Sequence, residues 1–296
     1  MVSCGRYKDR PAVTVESDEL AAVFLPEDGA KLASLVRRRD GRELLAQRPW
    51  ESYRRLAFDG EYISAECSGF DDMFPTVDPC APGDGAAYPD HGECCRLSYE
   101  YTQAGDRAIF RASSRLFPIE YEKSAEAQED GSILTSYRIT NAGSGPFRFL
   151  WAGHIMLNGS DDMRVITPFA HDTPTELMFA TAGTDADRLP RDRLMGHAPG
   201  LGAAYKFYYL ERMPEGRFGA SYGDGSSLIF EVDPEKLPYL GIWLNNGEFQ
   251  GEYTVTPEPC TVPFDSPERA SGRGLVSYIP AGGSFGFDIR MALKWI

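Results

Sequence analysis

The chain lacks the features that mark membrane, secreted and disulfide-rich proteins. No stretch of its 296 residues approaches the roughly 20 consecutive apolar residues that a membrane span requires. The N-terminus reaches the charged residues Lys8, Asp9 and Arg10 without an apolar core, so a signal peptide is not expected. Six cysteines without CxxC spacing are too sparse for a disulfide scaffold and indicate reduced thiols. We therefore expect a cytoplasmic protein with no membrane partner.

Positive charge is also scarce. The formal net charge is −14, and no run rich in lysine or arginine occurs. A nucleic-acid backbone requires a basic face, so nucleic acid is not expected as a partner. The sequence has no glycine-rich phosphate loop, no GxSxG elbow and no dinucleotide fingerprint, so we expect no cofactor. With 42% hydrophobic and 25% charged residues, the composition is that of a soluble globular protein.

Helical periodicity is nearly absent, and the dominant hydrophobic period is two. Apolar residues alternate with mostly polar ones over 285–295, which predicts a half-buried strand. Residues 133–140 alternate in the same way, a turn follows at 141–146, and another strand is predicted at 147–151. This succession predicts that 133–140 and 147–151 form an antiparallel pair.

Further strands are predicted at 13–15, 21–25 and 239–245, whereas the best helical candidate, 175–182, is short. The chain contains 30 glycines and 21 prolines, spread along its length, which favours many strands joined by turns. Two packed sheets bury such half-apolar strands most readily. The sequence predicts an all-β, large antiparallel β-sandwich, and we expect residues 1–296 to form a single domain.

Two long irregular stretches, 78–90 and 183–203, have the length of functional or mobile loops. His91 lies at the end of the first, where the chain re-enters a strand, a common place for a functional group. Its neighbours Cys94 and Cys95 raise the question of zinc. Adjacent cysteines seldom bind one tetrahedral ion, and no second pair has the required spacing, so no metal is expected.

His154 follows a predicted strand and stands beside Gly153, which could bulge the strand and re-aim the histidine. The alternative is a buried structural histidine that bonds to a neighbouring carbonyl. Asn158, four residues on, could orient a bound hydroxyl or brace a loop. The other two histidines, His171 and His197, lie in loop regions without a supporting motif.

Glu258 lies between Pro257 and Pro259, which stiffen the segment that presents its carboxylate. The alternative is a solvated turn glutamate. A histidine and a carboxylate together can protonate one oxygen while they deprotonate another, which is the chemistry that opens and recloses a sugar ring. Trp243 and Asn245 share one face of a predicted strand, and an aromatic ring beside an amide suits a sugar. A core tryptophan is the alternative for Trp243.

In chain order, these motifs resemble the aldose 1-epimerase (galactose mutarotase-like) family over nearly the whole sequence. The matching segments are 24–32, 69–75, His91-Gly92, 154–158, 240–243 and Glu258-Pro259. The resemblance implies a sugar site on one concave sheet and a monosaccharide or related sugar as substrate. It also implies roles: His154 gives a proton to the ring oxygen, Glu258 takes the proton of the anomeric hydroxyl, and His91 binds on the ring-oxygen side.

The sequence departs from the family pattern around these residues. The usual Asn-His-Ser-Tyr-Phe-Asn is Gly-His-Ile-Met-Leu-Asn at 153–158, and the later sugar-binding aspartate is replaced by Asn245 and Asn246. The family's arginine has no clear counterpart, and Lys206 could substitute for it. Two alternatives therefore stand beside an anomer-interconverting enzyme: a non-catalytic sugar-binding module, and a mutarotase for a sugar phosphate, to which Arg54 and Arg55 could contribute charge.

Overall fold

The computed structural model describes residues 1–82, 87–181 and 202–295. Almost all regular structure in these ranges is antiparallel β-sheet, with strands numbered in chain order. The first sheet contains β1 (Val2–Tyr7), β2 (Arg10–Glu16), β3 (Leu20–Leu25), β4 (Lys31–Arg37), β5 (Arg42–Glu43), β6 (Phe70–Met73), β12 (Ala152–Ile155), β13 (Leu157–Asn158), β15 (Thr175–Ala180), β16 (Ala203–Tyr209), β19 (Tyr239–Asn246) and β20 (Tyr253–Cys260). Its order is β1-β2-β3-β4-β6-β12-β20-β19-β16-β15, with β5 beside β4 and β13 beside β20.

The second sheet packs against the first. It contains β7 (Glu100–Ala104), β8 (Arg107–Ser113), β9 (Ile119–Ala127), β10 (Ile133–Asn141), β14 (Arg164–Ile166), β17 (Arg217–Ser221), β18 (Ser226–Val232) and β22 (Ser284–Trp295). Its order is β14-β17-β18-β22-β10-β9-β8-β7, and a small separate pair joins β11 (Phe147–Phe149) to β21 (Ser277–Ile279). The described residues also contain one short α-helix, α1 (Pro267–Ser271).

The core lies between the two sheets, as the period-two pattern requires. Phe24 of β3 packs on Phe110 of β8 with ring centroids 5.6 Å apart, and Trp151 packs on Phe287 of β22 at 4.4 Å. The opposite face of the first sheet is then free to carry polar groups. That second face carries the candidate site.

The structure confirms the sandwich and most of the predicted strands. Residues 133–140 lie in β10, 239–245 in β19 and 285–295 in β22. The predicted pairing of 133–140 with 147–151 is wrong. Strand β10 pairs with β9 and β22 on its two sides, so no edge remains for β11, which pairs with β21 instead.

The helical candidate is also wrong, because Thr175–Ala180 forms strand β15. It pairs with β16, and the register shifts between Leu177 and Phe179, which disturbs strict alternation in the sequence. Tertiary pairing, and not local propensity, decides this segment.

The bulge expected at Gly153 is absent on the β6 side of β12, where the register is unbroken from Ala152 to Ile155. Instead, a side chain on Gly153 would come within 3.1 Å of the rings of Phe70 and Trp151. Packing against these two rings therefore favours glycine at this position.

Of the two irregular stretches, 78–90 is described except for 83–86 and contains a bridge between Cys80 and Tyr88. Most of 183–203, including His197, lies outside the described residues. In the part of the chain that the structure describes, no helix combines the length and apolar character needed to cross a membrane.

Candidate active site

Five neighbouring strands bring chemically important residues into one row across the first sheet. Asp71 of β6 pairs with His154 of β12, and Glu258 of β20 pairs with Gly241 of β19, which pairs with Tyr208 of β16. Ala152 of β12 pairs with Cys260 of β20, and Leu157 of β13 pairs with Val255 of β20. Both pairs belong to the same register, and this register sets His154 opposite Glu258. Directly opposed residues project from the same face about 5 Å apart, so the row forms one continuous site.

The prolines beside Glu258 explain how its strand can lie open to His154. Pro257 and Pro259 cannot donate a backbone hydrogen bond. All eight residues of β20 nevertheless pair with β19. On its other side, β20 pairs with β12 at Cys260 and with β13 at Val255 and Thr254, and the pairing is interrupted between these points. The missing donors therefore fall on the β12 side. Glu258 is held by β19 and faces a gap in the sheet at His154.

His154 and Glu258 form a close buried pair. His154 Nε2 lies 3.4 Å from Glu258 Oε1, and the two side chains are 11% and 1% exposed. Burial raises the pKa of Glu258, and Lys206 only partly offsets this change. Burial, aided by the Lys206 charge, lowers the pKa of His154 well below its usual range. The two shifts have opposite directions because burial favours the neutral form of each group.

A second set of side chains orients the histidine ring. The Tyr62 hydroxyl donates to Asp71 Oδ2 at 2.8 Å and lies 3.4 Å from His154 Nδ1. Asp71 in turn is paired with Lys31 at 3.0 Å. Because the Tyr62 proton is directed to Asp71, the Tyr62 oxygen can accept from Nδ1–H. This arrangement leaves Nε2, the nitrogen that faces Glu258, as the atom that exchanges a proton.

Four residues on the other side of the row form what we call the Lys206 cluster: Lys206, Glu258, Asp265 and Tyr208. Lys206 Nζ lies 2.8 Å from Glu258 Oε2 and 2.6 Å from Asp265 Oδ1. The Tyr208 hydroxyl lies 2.8 Å from Asp265 and 3.3 Å from Glu258. Burial alone would lower the pKa of Lys206, but Asp265 and Glu258 raise it above the usual value. The lysine therefore stays charged between two carboxylates.

Glu258 Oε1 is an acceptor in this arrangement that receives no hydrogen bond. It is buried and makes no hydrogen bond to any described part of the chain, while Oε2 is bound by Lys206 and Tyr208. The predicted alternative of a solvated turn glutamate is thus wrong. A buried acceptor without a partner is costly in a purely structural role, and it faces His154, where a substrate hydroxyl could bind.

His91, predicted to bind the substrate, lies at the edge of the same site. Its ring stacks on Tyr62 with centroids 4.0 Å apart and planes 10° apart, and its centroid lies 6.2 Å from that of the His154 ring. Asp90 Oδ2 lies 2.8 Å from His91 Nδ1. His91 has φ of 56°, and Gly92 is required next to it because a Cβ there would meet the Phe74 carbonyl oxygen at 2.2 Å.

Trp243 and Asn245 lie on the same face but at different distances from the reacting pair. Trp243 is two residues from Gly241, and its ring lies 5.5 Å from those of Phe179 and Phe249, forming a partly exposed aromatic edge. The Asn245 side chain is buried, donates to the Phe249 carbonyl at 2.9 Å and accepts from its N–H at 3.0 Å. Both ends of this amide therefore brace the loop that follows β19.

Asn158 is exposed and lies four residues along the chain from His154, in β13. At about 3.3 Å per residue, this spacing places it roughly 13 Å from the histidine along the strand direction. Of the predicted residues, His154, Glu258, His91 and Lys206 are therefore brought together. Trp243 lies directly opposite Lys206 on the neighbouring strand, while Asn245 and Asn158 lie further out.

Sequence reasoning missed the residues that support the reacting pair: Tyr62, Asp71, Tyr208 and Asp265. Tyrosine occurs 15 times and acidic residues 44 times in the chain, so composition and spacing do not single out these four. Asp71 lies in the 69–75 motif, which offered a signal for this position. Asp265 had none, because the segment after β20 returns to the site only through tertiary folding.

A groove of about 540 Å³ lies elsewhere, on the outer face of the second sheet. Its lining includes Arg107, Glu122, Arg138, Asp288 and Arg290, with no histidine or cysteine among the lining residues. Charged side chains of opposite sign on an open sheet face are ordinary solvated surface. The buried acid–base pair on the first sheet is the stronger candidate.

No protein-family model matches the sequence, and no curated protein matches it. Solved structures do resemble the fold. A Klebsiella pneumoniae protein named as a proposed aldose 1-epimerase has a TM-score of 0.75 at 14% identity, covering 98% of this chain and 81% of that one. A galactose mutarotase-like protein of Clostridium acetobutylicum has a TM-score of 0.69 at 14% identity, covering 100% and 99%.

A galactose mutarotase related enzyme of Lactobacillus acidophilus gives a TM-score of 0.66 at 14% identity, covering 96% of this chain and 97% of that one. Likeness at such low identity concerns the fold alone. The chain therefore has the galactose mutarotase-like fold, and any activity has to be argued from its own residues.

Proposed function

We propose that this protein is an aldose 1-epimerase, an isomerase that interconverts the α and β anomers of an uncharged aldose. The observation that carries the proposal is the buried contact between His154 Nε2 and Glu258 Oε1, 3.4 Å apart. A purely sugar-binding site has no need for a buried histidine and a buried carboxylate that face each other at this distance. The names of the structural neighbours, which concern aldose 1-epimerases and galactose mutarotases, agree with this proposal.

The reaction can proceed with one proton cycling through the pair. His154, protonated on Nε2, donates to the ring oxygen while Glu258 takes the proton of the anomeric hydroxyl. The bond between the anomeric carbon and the ring oxygen breaks, and the anomeric carbon becomes an aldehyde. After rotation about the adjacent carbon–carbon bond, both transfers run backwards and the ring closes on the other face. Protons balance over the cycle, and no cofactor is needed.

The charges around the pair favour an uncharged sugar over a sugar phosphate. Lys206 lies between two carboxylates, and Lys31 is paired with Asp71. The Arg54 guanidinium stacks 3.6 Å from the centre of the Trp50 ring, and Arg55 donates to Ser98 at 2.7 Å. Within the described ranges, the lysines of the site are thus already neutralised. A phosphate placed there would approach at least as many carboxylates as cations.

We further propose that the chain acts as one unit, since the neighbour from Clostridium acetobutylicum matches end to end. A cytoplasmic location is part of the same proposal. All six cysteines are free thiols, which suits a reducing compartment.

The proposed activity is tested by adding freshly dissolved α-anomers of several aldoses and following the approach to equilibrium by polarimetry or NMR. We expect the protein to accelerate this approach for at least one aldose. We expect Glu258→Gln and His154→Asn each to lower the rate about 100- to 10,000-fold, as loss of a general acid or base does. Asp224→Asn, a matched change of one carboxylate far from the site, should leave the rate unchanged.

The alternative functions predict different results. Measurable sugar binding without acceleration of any aldose would contradict the enzyme and support a binding module. Acceleration restricted to phosphorylated aldoses would contradict the uncharged substrate. A wild-type rate in either site variant would remove the role assigned to that residue.

A further inference from the structure

The Lys206 cluster contains one cation and two carboxylates that compete for it. Lys206 Nζ is closer to Asp265 Oδ1, at 2.6 Å, than to Glu258 Oε2, at 2.8 Å. All three side chains are less than a tenth exposed, so water contributes little to balancing their charges. The negative charge of Asp265 therefore offsets part of the stabilisation that the lysine gives to the ionised form of Glu258.

Asp265 and Glu258 also compete for the proton of the Tyr208 hydroxyl. Its hydroxyl has a single proton, and it lies 2.8 Å from Asp265 but 3.3 Å from Glu258. The shorter contact directs the proton toward Asp265. Gly241 makes this position of the ring possible, because a Cβ on Gly241 would lie 2.6 Å from Tyr208 Cε1.

Asp265 is held in place by its own backbone. The amides of Val77 and Asp78 donate to its carbonyl oxygen at 2.9 and 2.7 Å. The preceding residue, Phe264, has φ of 76°, a conformation that is unfavourable for an aromatic side chain. This strained turn brings the carboxylate back over the sheet to Lys206, and such strain is most often found at functional sites.

Among the residues that the structure describes, few other titratable groups surround Glu258. β12 presents His154, β16 presents Lys206 and Tyr208, and Cys260 follows on the same strand as Glu258. From β19, the facing residue is Gly241, which has no side chain. From the segment between β6 and β7, Asp78 is close enough to Asp265 and Lys206 for their charges to affect its pKa, and the charge of His91 contributes to lowering the pKa of His154.

We propose that Asp265 is a positioning residue that sets the proton affinity of Glu258 by competing with it for Lys206 and for the Tyr208 proton. The catalytic meaning of this role rests on the proposed epimerase function. The physical role, however, can be measured without any substrate. Consistent with it, Lys206 lowers the pKa of Glu258 and Asp265 raises it.

Such tuning would serve a group that must both take and return a proton. A carboxylate paired tightly with its own lysine would be a weak base near neutral pH. A carboxylate that shares the lysine with a second acid keeps a proton affinity closer to the working pH, which is optimal for reversible proton transfer. Asp265 need not touch the substrate to have this effect.

The test is a titration of Glu258 in the full-length protein, without sugar, by NMR of glutamate labelled with carbon-13 at the side-chain carboxyl. The Glu258 signal is assigned by its loss in Glu258→Gln. We expect Asp265→Asn, which keeps size and removes charge, to shift the titration to lower pH by about one unit or more. We expect Lys206→Met to shift it to higher pH.

Two further variants complete the test. Tyr208→Phe keeps every charge but removes the hydroxyl proton that lies between Asp265 and Glu258, so the Glu258 titration should move to higher pH. This variant measures the contribution of that proton even if Lys206→Met does not fold. Asp224→Asn, which removes one of two carboxylates from a distant arginine, should leave the Glu258 titration unchanged.

An unchanged or raised Glu258 titration in folded Asp265→Asn would overturn the proposal. The outcome is separable from the fate of the epimerase function, because the titration needs no turnover. If epimerase activity is present, the acidic limb of the kcat/KM pH profile should move with the titration in Asp265→Asn. A merely structural role would instead lower the rate at every pH and leave that limb in place.

Discussion

Two clusters in this protein contain the same charges, one cation and two carboxylates, but lie in opposite surroundings. In the Arg37 cluster, Arg37 is paired with Asp40 and with Asp224, the latter at 2.7 Å. The two carboxylates are 46% and 37% exposed. Hydrogen bonds from Arg37 lower the pKa of Asp40, and those from Ser226 and Arg37 lower the pKa of Asp224. Water and the cation together favour the ionised form of both acids.

In the Lys206 cluster, the same count of charges gives the opposite result for Glu258. Its side chain is 1% exposed, and burial raises its pKa even though Lys206 lies 2.8 Å away. Charge pairing is therefore not sufficient to fix the direction of a pKa shift. Desolvation outweighs a shared cation when water is excluded, and this difference separates a surface ion pair from a group that can exchange a proton.

The largest effect that we expect is on stability, from removing the cation of each cluster. Lys206→Met leaves two carboxylates buried without the lysine that pairs them and should lower the free energy of unfolding by about 3–5 kcal/mol. Arg37→Met leaves acids that water can solvate and should cost about 1 kcal/mol or less. Urea denaturation at pH 7 measures both values. The stability cost of Lys206→Met should be smaller at pH 5, where the buried acids can take up protons. Equal stability costs of Lys206→Met and Arg37→Met at pH 7 would refute the contrast between the two clusters.

A smaller effect should follow from the glycine that makes room for the Lys206 cluster. In Gly241→Ala, the new methyl group would meet Tyr208 Cε1 at 2.6 Å, so the ring must move and its hydroxyl must leave Asp265. We expect a loss of about 1–3 kcal/mol in the free energy of unfolding, typical of overpacking. Gly5→Ala, where nothing lies within 4 Å, is the matched control and should be nearly neutral. Similar values for the two variants would show that the Tyr208 position is not required.

The smallest expected effect is the dependence on salt. The Debye length falls from about 10 Å at 0.1 M salt to about 3 Å at 1 M, and exposed charges are screened far more than buried ones. The cost of Arg37→Met should therefore shrink by a few tenths of a kcal/mol in 1 M sodium chloride, on the scale of exposed ion pairs. The cost of Lys206→Met should not change measurably. Equal salt dependence in both variants would mean that water reaches the Lys206 cluster.

The accuracy of the sequence-based predictions differed between local and long-range features. Alternation located the strands that became β10, β19 and β22, because a half-buried strand imposes its period on its own residues. The pairing of 133–140 with 147–151 was wrong because β9 and β22 occupy both sides of β10. The helical candidate failed for the same reason, since pairing with β16 made 175–180 a strand.

For the site, sequence reasoning nominated His154, Glu258 and Lys206, which the fold brings together, and it missed Asp265. The first two stand in recognisable motifs. Asp265 lies in none, and it reaches Lys206 only because the chain turns back over the sheet after β20. A contact between a loop and a strand 59 positions earlier in the sequence leaves no local pattern.

The sequence by itself determined the all-β class, the antiparallel sandwich and a short list of residues capable of acid–base chemistry. Those features depend on residue type and spacing, which are local. Only the tertiary structure decided that His154 would lie opposite Glu258, that Lys206 would be shared with Asp265, and that Glu258 would lose its water. Register and burial arise from packing between distant segments, and burial decides whether a carboxylate beside a lysine becomes a weaker or a stronger base.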